Sequence, residues 1–287
     1  MDGLLQGQRV ETIYSRGTVA HSMPLRRLLR GRVPESTLDD IASEVAGHYG
    51  QPVESVDVLE ADNWLSIPCV VNDQWFVKVI SAQNSFVHAL LTASRNIGVF
   101  SSGTEGFFEH FGTPVEMAEH ELEATEKLRE LDINAPEPLR AFEHDGYGVL
   151  VLDYIPDFDV LDTVPAETVE AVAPDIFDAL ARMHDAGLVH GDLRAENVLV
   201  VDGQLYFIDA TKVRGEGIED ARAYDIACAL AALEPLVGAR VAVDAATESY
   251  DAETLVDADS YLDFVSIRPD HDFDTVAVKG EISKLLD

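Results

Sequence analysis

The sequence predicts an α+β fold with two lobes: a small first lobe built on an antiparallel sheet and a mostly helical second lobe. Between residues 56 and 151, short runs of β-branched and aromatic residues are separated by two-residue turn signals such as Asn72-Asp73. Beyond Pro156, apolar residues instead recur at helical spacing, as in 174–185. This change of pattern along the chain is the basis for the prediction.

The first lobe is expected to contain two hairpins with a helix between them. Strands are predicted over 65–71 and 74–80, and again over 139–143 and 147–151, because turn residues separate the members of each pair. The stretch 116–131 is rich in Glu, Ala and Leu and therefore predicts the helix.

A short helix is expected before this lobe. Its N-cap is predicted at Ser36 or Thr37, apolar residues then recur with a period near 3.6, and Gly50 marks the end. The predicted domains are a small helical extension over 1–52, a first lobe over 53–155 with an insertion at 84–113, and a second lobe over 156–287.

The second lobe is expected to begin with a helical segment at Val164, followed by an amphipathic helix over 174–185. Short strands are predicted within 188–201 and 205–210, around a polar loop. A strongly apolar helix is predicted over 224–233, and the acidic, amphipathic stretch after it predicts two or three more helices.

Charge is the most unusual property of the chain, which has 53 acidic residues against 20 Lys and Arg and a net charge of −33. Its 47% hydrophobic content is not that of a disordered chain. The acidic residues are spread along the sequence and resemble the acidic composition of proteins from salt-accumulating halophiles, where the Debye length in molar salt is ~3 Å. The charge opposes direct nucleic-acid binding at low salt.

The composition also predicts the compartment. No run approaches the ~18 apolar residues of a membrane span, and the start of the chain has no basic-then-apolar signal. We therefore expect a soluble, cytoplasmic protein without a membrane partner. Cys69 and Cys228 lie in apolar runs without metal-ligand spacing, so both are expected to be buried thiols.

The segment 189–200 carries the clearest chemical signal. Two apolar runs bracket a polar loop that contains Asp192 and, five residues later, Asn197, and Asp209 follows a further predicted strand. Phosphoryl transfer requires a carboxylate near the attacking hydroxyl and oxygen ligands for Mg²⁺. Each acid alone would more often cap a turn, but the set in this order indicates phosphotransfer.

This segment, His190-Gly191-Asp192-Leu193 with Asn197 and then Ile208-Asp209, resembles the catalytic and metal-binding segments of kinase-like phosphotransferases. Glycine before the catalytic Asp is the variant of RIO-type atypical protein kinases and of aminoglycoside and choline kinases. The resemblance implies a kinase-like fold, ATP and Mg²⁺ as cofactors, Asp192 as the catalytic residue, and Asn197 and Asp209 as metal ligands.

The resemblance also implies a strand lysine paired with a helix glutamate in the first lobe. Lys78 lies inside an apolar strand, where a lone ammonium group would be costly without a partner. Among the glutamates of the following helix, the family spacing favours Glu121, with Glu123 as the second choice. Such a pair positions the nucleotide phosphates.

Further site residues follow from the same resemblance. Adenine is expected to contact the Asp153 carbonyl and the Ile155 amide at the hinge between the lobes. Backbone amides around Asn63 and Ser66 are expected to approach the phosphates, although this stretch lacks the usual glycines. Asp225 is expected to brace the catalytic loop through charge-assisted hydrogen bonds.

A Pro-x-Pro entry at 136–138 and the long segment 84–113 are similar to features of RIO kinases. They favour a Ser/Thr protein kinase that could act chiefly as an ATPase, with a link to ribosome maturation implied by family alone. A phosphotransferase for small hydroxylated molecules and a nucleotide-binding pseudokinase stay open as alternatives. Ser101, Ser102 and Thr104 are candidate autophosphorylation sites in that long segment.

Overall fold

The computed structural model describes residues 33–59, 66–81, 113–210, 218–268 and 271–286. These residues form two compact units. The first contains 33–59, 66–81, 113–126 and 136–157, and the second contains 127–135 and the described residues from 158 onward. The first unit holds an antiparallel sheet and the second is mostly helical, so the predicted α+β class is confirmed. The predicted domain limits stay a prediction.

The helices and strands have the following bounds. The helices are α1 (Glu35–His48), α2 (Pro114–Glu130), α3 (Ala166–Asp185), α4 (Ile218–Val237), α5 (Ala239–Ala246), α6 (Ala252–Ser266) and α7 (Thr275–Ser283). The strands are β1 (Val56–Val58), β2 (Ile67–Val71), β3 (Trp75–Ile80), β4 (Pro138–His144), β5 (Tyr147–Asp153), β6 (Asp159–Val160), β7 (Val198–Val201) and β8 (Gln204–Phe207). Short 3₁₀ helices cover Leu161–Thr163, Ala195–Asn197 and Lys284–Leu286.

The sheet of the first unit is antiparallel, with strand order β1-β2-β3-β5-β4. The predicted turn at Asn72-Asp73 joins β2 to β3, and both residues have positive φ, 56° and 52°. A two-residue hairpin turn of this kind matches the twist of the strands, and Asn and Asp tolerate the left-handed conformation. Because the strand order places β3 between β2 and β5, it lies inside the sheet rather than at its edge.

The two faces of β3 are covered by different helices. Val77 belongs to an apolar cluster with Ile41 of α1, whereas Ile80 belongs to another cluster with Ala118 of α2. Because side chains alternate between the faces of a strand, Lys78 shares its face with Ile80. The strand register therefore directs Lys78 toward α2.

Gly148 of β5 allows α2 to approach the sheet closely. A Cβ atom at this position would lie 2.0 Å from the carbonyl oxygen of Pro114, the first residue of α2. Gly148→Ala is therefore expected to lower the free energy of unfolding by about 1–3 kcal/mol, the usual cost of overpacking, in denaturant titrations at fixed KCl concentration.

Gly47 in α1 provides the matched control. A Cβ atom there would meet no atom within 4 Å, so Gly47→Ala is expected to stabilise the helix by about 0.5–1 kcal/mol. Equal stability changes of the same sign in the two variants would contradict the close approach at Gly148.

The second unit is organised around α3 and α4, whose apolar side chains form one continuous cluster with β7, β8 and the C-terminal helices. The sheet β6-β7-β8 is antiparallel. The stretch after α4 forms three helices, α5 to α7, as predicted. No helix among the described residues is long and apolar enough to cross a membrane.

Cys69 and Cys228 are buried as predicted, and burial raises the pKa of each thiol to about 12.

Several predicted bounds are wrong. The segment from Val164 and the helix over 174–185 are one helix, α3, with Pro174 inside it. Burial of Val172, Ile176 and Phe177 on either side of the proline holds the helix together despite the lost backbone donor. The predicted strand within 188–201 is confined to β7, and α4 extends beyond 224–233 at both ends.

The predicted N-cap at Ser36 or Thr37 is also wrong. Helix α1 begins at Glu35, since the carbonyl of Pro34 accepts the first backbone hydrogen bonds from Thr37 and Leu38. The apolar side of α1 packs on the sheet of the first unit.

Candidate active site

In the first unit, Lys78 and Glu121 form a shielded ion pair. The ammonium nitrogen of Lys78 lies 2.8 Å and 3.0 Å from the two carboxylate oxygens of Glu121, and the side chains are 7% and 16% exposed. The hydroxyl of Thr125 donates to the Glu121 carbonyl one helical turn away. Of the two glutamates considered from the sequence, the structure brings Glu121 to Lys78.

In the second unit, the loop that contains Asp192 lies between α3 and β7. Its backbone turns at Gly191 with φ of 81°, a conformation that glycine adopts without a steric penalty. The loop ends in the 3₁₀ helix Ala195–Asn197, where Nδ2 of Asn197 donates to the Asp192 carbonyl at 2.8 Å. The five-residue spacing thus closes a compact turn and leaves the Asn197 amide oxygen as the atom that could bind a cation.

Asp209 follows β8, and hydrogen bonds hold the backbone just before it in place. The Phe207 N–H donates to the carbonyl of Asn134 at 2.9 Å, and Nδ2 of Asn134 donates to the carbonyl of Leu205 at 3.1 Å. The next N–H, of Ile208, donates to the Asn197 carbonyl at 3.1 Å. Asp209 itself has φ of 60°, and such sparsely populated conformations concentrate at functional sites.

Asp225 of α4 stabilises the loop that contains Asp192 through hydrogen bonds, as predicted. Its carboxylate is fully buried and accepts hydrogen bonds from the backbone N–H groups of His190 at 2.6 Å and Gly191 at 2.8 Å. It also lies 3.2 Å from Nε2 of His184. Because a buried carboxylate is costly without donors, these contacts hold Asp225 and the loop together.

His184 connects this brace to a tyrosine beyond α5. Nε2 of His184 lies 3.2 Å from the carboxylate of Asp225, and its other ring nitrogen, Nδ1, lies 2.9 Å from the hydroxyl of Tyr250. Burial raises the pKa of Tyr250, which keeps its hydroxyl a donor. The guanidinium of Arg222 also donates to the His184 carbonyl.

The imidazole of His190, two residues before Asp192, is buried. Loss of hydration lowers its pKa, and this effect exceeds the opposing influence of the carboxylates of Asp225, Asp192 and Asp209. The ring makes an edge contact with Phe207, with centroids 6.3 Å apart. His190 is therefore neutral near pH 7 and packs as part of the core.

The carboxylate of Asp192 contacts two guanidinium groups. Nη2 of Arg268 lies 2.5 Å from Oδ1, and Nε of Arg194 lies 3.4 Å from Oδ2. Arg194 also pairs with Glu196. The Asp192 side chain keeps 23% of its surface exposed.

The remaining predicted residues are placed as follows. Asp153 ends β5, and the Tyr154 N–H donates to the Gln74 carbonyl at 2.8 Å. In an extended chain, the Asp153 carbonyl and the Ile155 N–H point away from the side on which the Tyr154 N–H binds Gln74.

Ser66 is buried before β2, and its hydroxyl has no partner among the described residues. Asn63, Ser101, Ser102 and Thr104 lie outside the described residues. The roles of all these residues stay predictions.

Asn197 and Asp209 carry oxygen atoms of the kind that bind a magnesium ion. Mg²⁺ prefers hard oxygen ligands and keeps several waters, so one carboxylate, one amide and substrate phosphates suffice. Within the part of the chain that is described, no group of three or more His, Cys, Asp or Glu forms a metal cluster.

The RIO domain family model matches residues 112–224, which include α2, the loop that contains Asp192, and Asp209. This segment of the chain is therefore similar to the RIO domain. The resemblance read from its sequence is thus confirmed at the level of the family, and the matched RIO segment also includes the start of α4.

Two curated proteins are similar to parts of this chain. The KEOPS complex subunit Bud32 of Pyrococcus abyssi (strain GE5 / Orsay) is 28% identical over 104 residues, which cover 35% of this chain and 46% of that protein. Serine/threonine-protein kinase 1 of Lymantria dispar multicapsid nuclear polyhedrosis virus is 39% identical over 57 residues, which cover 18% and 21%. The chain therefore matches less than half the length of either relative.

Among solved structures, this chain is similar to a putative fructosamine-3-kinase from Haemophilus somnus 129PT. The TM-score is 0.49 at 13% identity, with 86% of this chain and 97% of that chain covered. The Mycobacterium tuberculosis PknI kinase domain gives a TM-score of 0.39 at 16% identity, covering 65% and 75%.

Sequence reasoning missed three side chains around the catalytic loop: His184, Tyr250 and Arg268. His184 carried a signal, because a histidine on the apolar side of α3 must find a partner when it is buried. Tyr250 and Arg268 lie 66 and 76 residues from the groups they contact, and no local pattern marks either one.

Proposed function

We propose that the chain is an ATP- and Mg²⁺-dependent Ser/Thr protein kinase of the RIO type. The observation that carries the proposal is the braced loop, in which Asp225 fixes two consecutive backbone amides while Asp192 stays partly exposed. A carboxylate that only capped a turn would not require a fully buried second carboxylate beneath it.

In the proposed reaction, Asp192 accepts the proton of the attacking hydroxyl. Lys78, oriented by Glu121, contacts the nucleotide phosphates, and the oxygens of Asn197 and Asp209 hold the cation. When bound, Mg²⁺ neutralises the charge on the phosphates. Positioning and electrostatic stabilisation therefore account for most of the expected rate enhancement.

Two other functions use the same residues. Transfer to a small hydroxylated molecule needs the same catalytic carboxylate, and a pseudokinase would bind nucleotide without turnover. The stretch before Ser66 contains no glycine, which favours the pseudokinase more than any other feature of the sequence. The shielded Lys78–Glu121 pair supports an active enzyme, because an oriented lysine is what a phosphate contact requires.

The test is an assay with γ-labelled ATP, Mg²⁺ and high KCl, in which the acceptors are the chain itself, a mixed protein fraction and a panel of hydroxylated metabolites. We expect label on serine or threonine, together with release of phosphate, and both should stop when EDTA removes Mg²⁺. Label in metabolites alone would select the small-molecule kinase. ATP binding without turnover at any salt concentration would select the pseudokinase.

We also propose that the chain works in a protein assembly, since its Pyrococcus relative is named as a subunit of one. Purification of the chain from its native cells in high KCl, followed by identification of the proteins retained, tests this setting. Adding ribosomal particles to the assay separately tests the ribosome-maturation link that the family resemblance implies.

A further inference from the structure

We propose that Arg268 is a positioning residue for Asp192, holding its carboxylate in the orientation that receives the acceptor proton. This inference rests on the proposed function. It adds to the site a residue from the segment after α6, far from the catalytic loop in sequence and outside the segment that matches the RIO family.

The guanidinium of Arg268 is held at two points. Nη2 contacts Oδ1 of Asp192 at 2.5 Å, and Nη1 contacts the hydroxyl of Tyr224. Tyr224 is fully buried on α4 and directly precedes Asp225, which binds the loop backbone. The same turn of α4 thus fixes the loop through Asp225 and the catalytic side chain through Tyr224 and Arg268.

Arg268 could either position the Asp192 carboxylate or act as a plug, that is, a side chain that blocks Asp192 until an acceptor displaces it. The solvent exposure of Arg268 distinguishes these two roles. Its side chain is 9% exposed, compared with 23% for Asp192. Burial raises the pKa of the Cys228 thiol, and the nearby positive charge of Arg268 acts in the opposite direction and lowers it. Arg268 is therefore buried more deeply than the carboxylate that it contacts. A plug that an acceptor displaced would instead lie on the solvent side.

The backbone that carries Arg268 is anchored to the same core. The Arg268 N–H donates to the carbonyl of Val265 at 3.0 Å, which caps the end of α6. Leu262 and Val265 are fully buried, and the hydroxyl of Tyr261 donates to Asp220 of α4 at 2.6 Å. A guanidinium on a fixed backbone loses little further freedom on binding, so it suits a preorganised contact.

Arg194 is a weaker partner of the same carboxylate. Its Nε lies 3.4 Å from Oδ2, its side chain is 23% exposed, and it is shared with Glu196. Of these two contacts to Asp192, the one from Arg268 to Oδ1 is therefore the shorter and comes from the more deeply buried guanidinium.

The test compares Arg268→Ala, Arg268→Lys and Arg240→Ala with the wild-type chain in the ATP assay at high KCl. Arg240 is the matched control, because its 81% exposed side chain pairs only along one helix surface with Asp244. We expect Arg268→Ala to lower kcat about ten- to a hundredfold, with the KM for ATP changed less than twofold. Arg268→Lys should recover part of the loss, and added guanidinium ion should raise the rate of Arg268→Ala but not of Arg240→Ala.

The outcomes separate the inference from the function on which it rests. Thermal unfolding and ATP titration of each variant measure the folded, nucleotide-binding fraction, so that kcat is given per folded molecule. If the wild type turns over ATP and Asp192→Asn does not, the proposed function stands. A kcat of Arg268→Ala equal to or above that of the wild type then overturns the positioning role, and an increase would identify a plug. A wild type without turnover would overturn both.

Discussion

Asp225→Ala is expected to lower the free energy of unfolding of the second unit by about 3–5 kcal/mol, the usual cost of breaking a buried, hydrogen-bonded charge network. The substitution removes the acceptor of the His190 and Gly191 amides and leaves both without a partner in a fully buried site. Urea titrations at fixed KCl concentration measure the loss. Turnover should fall in parallel, because the loop that carries Asp192 is released.

Two further variants sharpen this prediction. Asp225→Asn keeps the shape but turns an amide NH₂ group toward backbone donors, so it should be nearly as destabilising. Asp244→Ala removes an exposed acid from the surface of α5, where ion pairs contribute only about 0–1 kcal/mol. Losses of similar size in Asp225→Ala and Asp244→Ala would show that Asp225 does not brace the loop.

The second large effect is expected at Lys78. Lys78→Met should weaken ATP binding and lower turnover about a hundredfold, because it removes a preorganised charge that contacts the phosphates. Glu121→Gln should act in the same direction but less strongly, since the ammonium group remains. ATP titration and the labelled-phosphate assay measure the two effects separately.

The control for Lys78 is Lys127→Met in the same helix as Glu121. Lys127 pairs with Glu130, and these two side chains are 45% and 63% exposed. Its loss should leave ATP affinity and turnover within twofold of the wild type. If Lys78→Met behaved in the same way, the Lys78–Glu121 pair would be a structural feature of the first unit and nothing more.

Salt is expected to affect these two ion pairs differently. With a net charge of −33, assays of this chain belong in high KCl, where the Debye length is ~3 Å at molar concentration. The exposed Lys127–Glu130 pair is screened under these conditions. The shielded Lys78–Glu121 pair is screened much less and can keep its geometry.

Much of the candidate site could be predicted from sequence because it depends on local patterns. The two-residue turn at Asn72-Asp73 sets the register of β3, and side-chain alternation then decides which face carries Lys78. The spacing of Asp192 and Asn197 likewise determines a compact turn, in which one side chain binds the other residue's carbonyl. Such features need no knowledge of distant parts of the chain.

The rest depends on contacts between residues far apart in sequence. The apolar side of α1 was visible in the sequence, but its packing on the sheet was not, since amphipathicity does not name a partner. Helix α3 continues through Pro174 because burial on both sides outweighs local propensity. Arg268 reaches Asp192 across 76 residues, so only the folded chain reveals the contact.

The most direct test of the proposed chemistry is the turnover of Asp192→Asn, measured beside the wild type with γ-labelled ATP and Mg²⁺ in high KCl. The amide keeps the size of the side chain but cannot accept the hydroxyl proton. We predict turnover about 10²- to 10⁴-fold below that of the wild type, the range of general base catalysis, with ATP binding retained. A rate equal to that of the wild type would contradict the assignment of Asp192 as the catalytic residue.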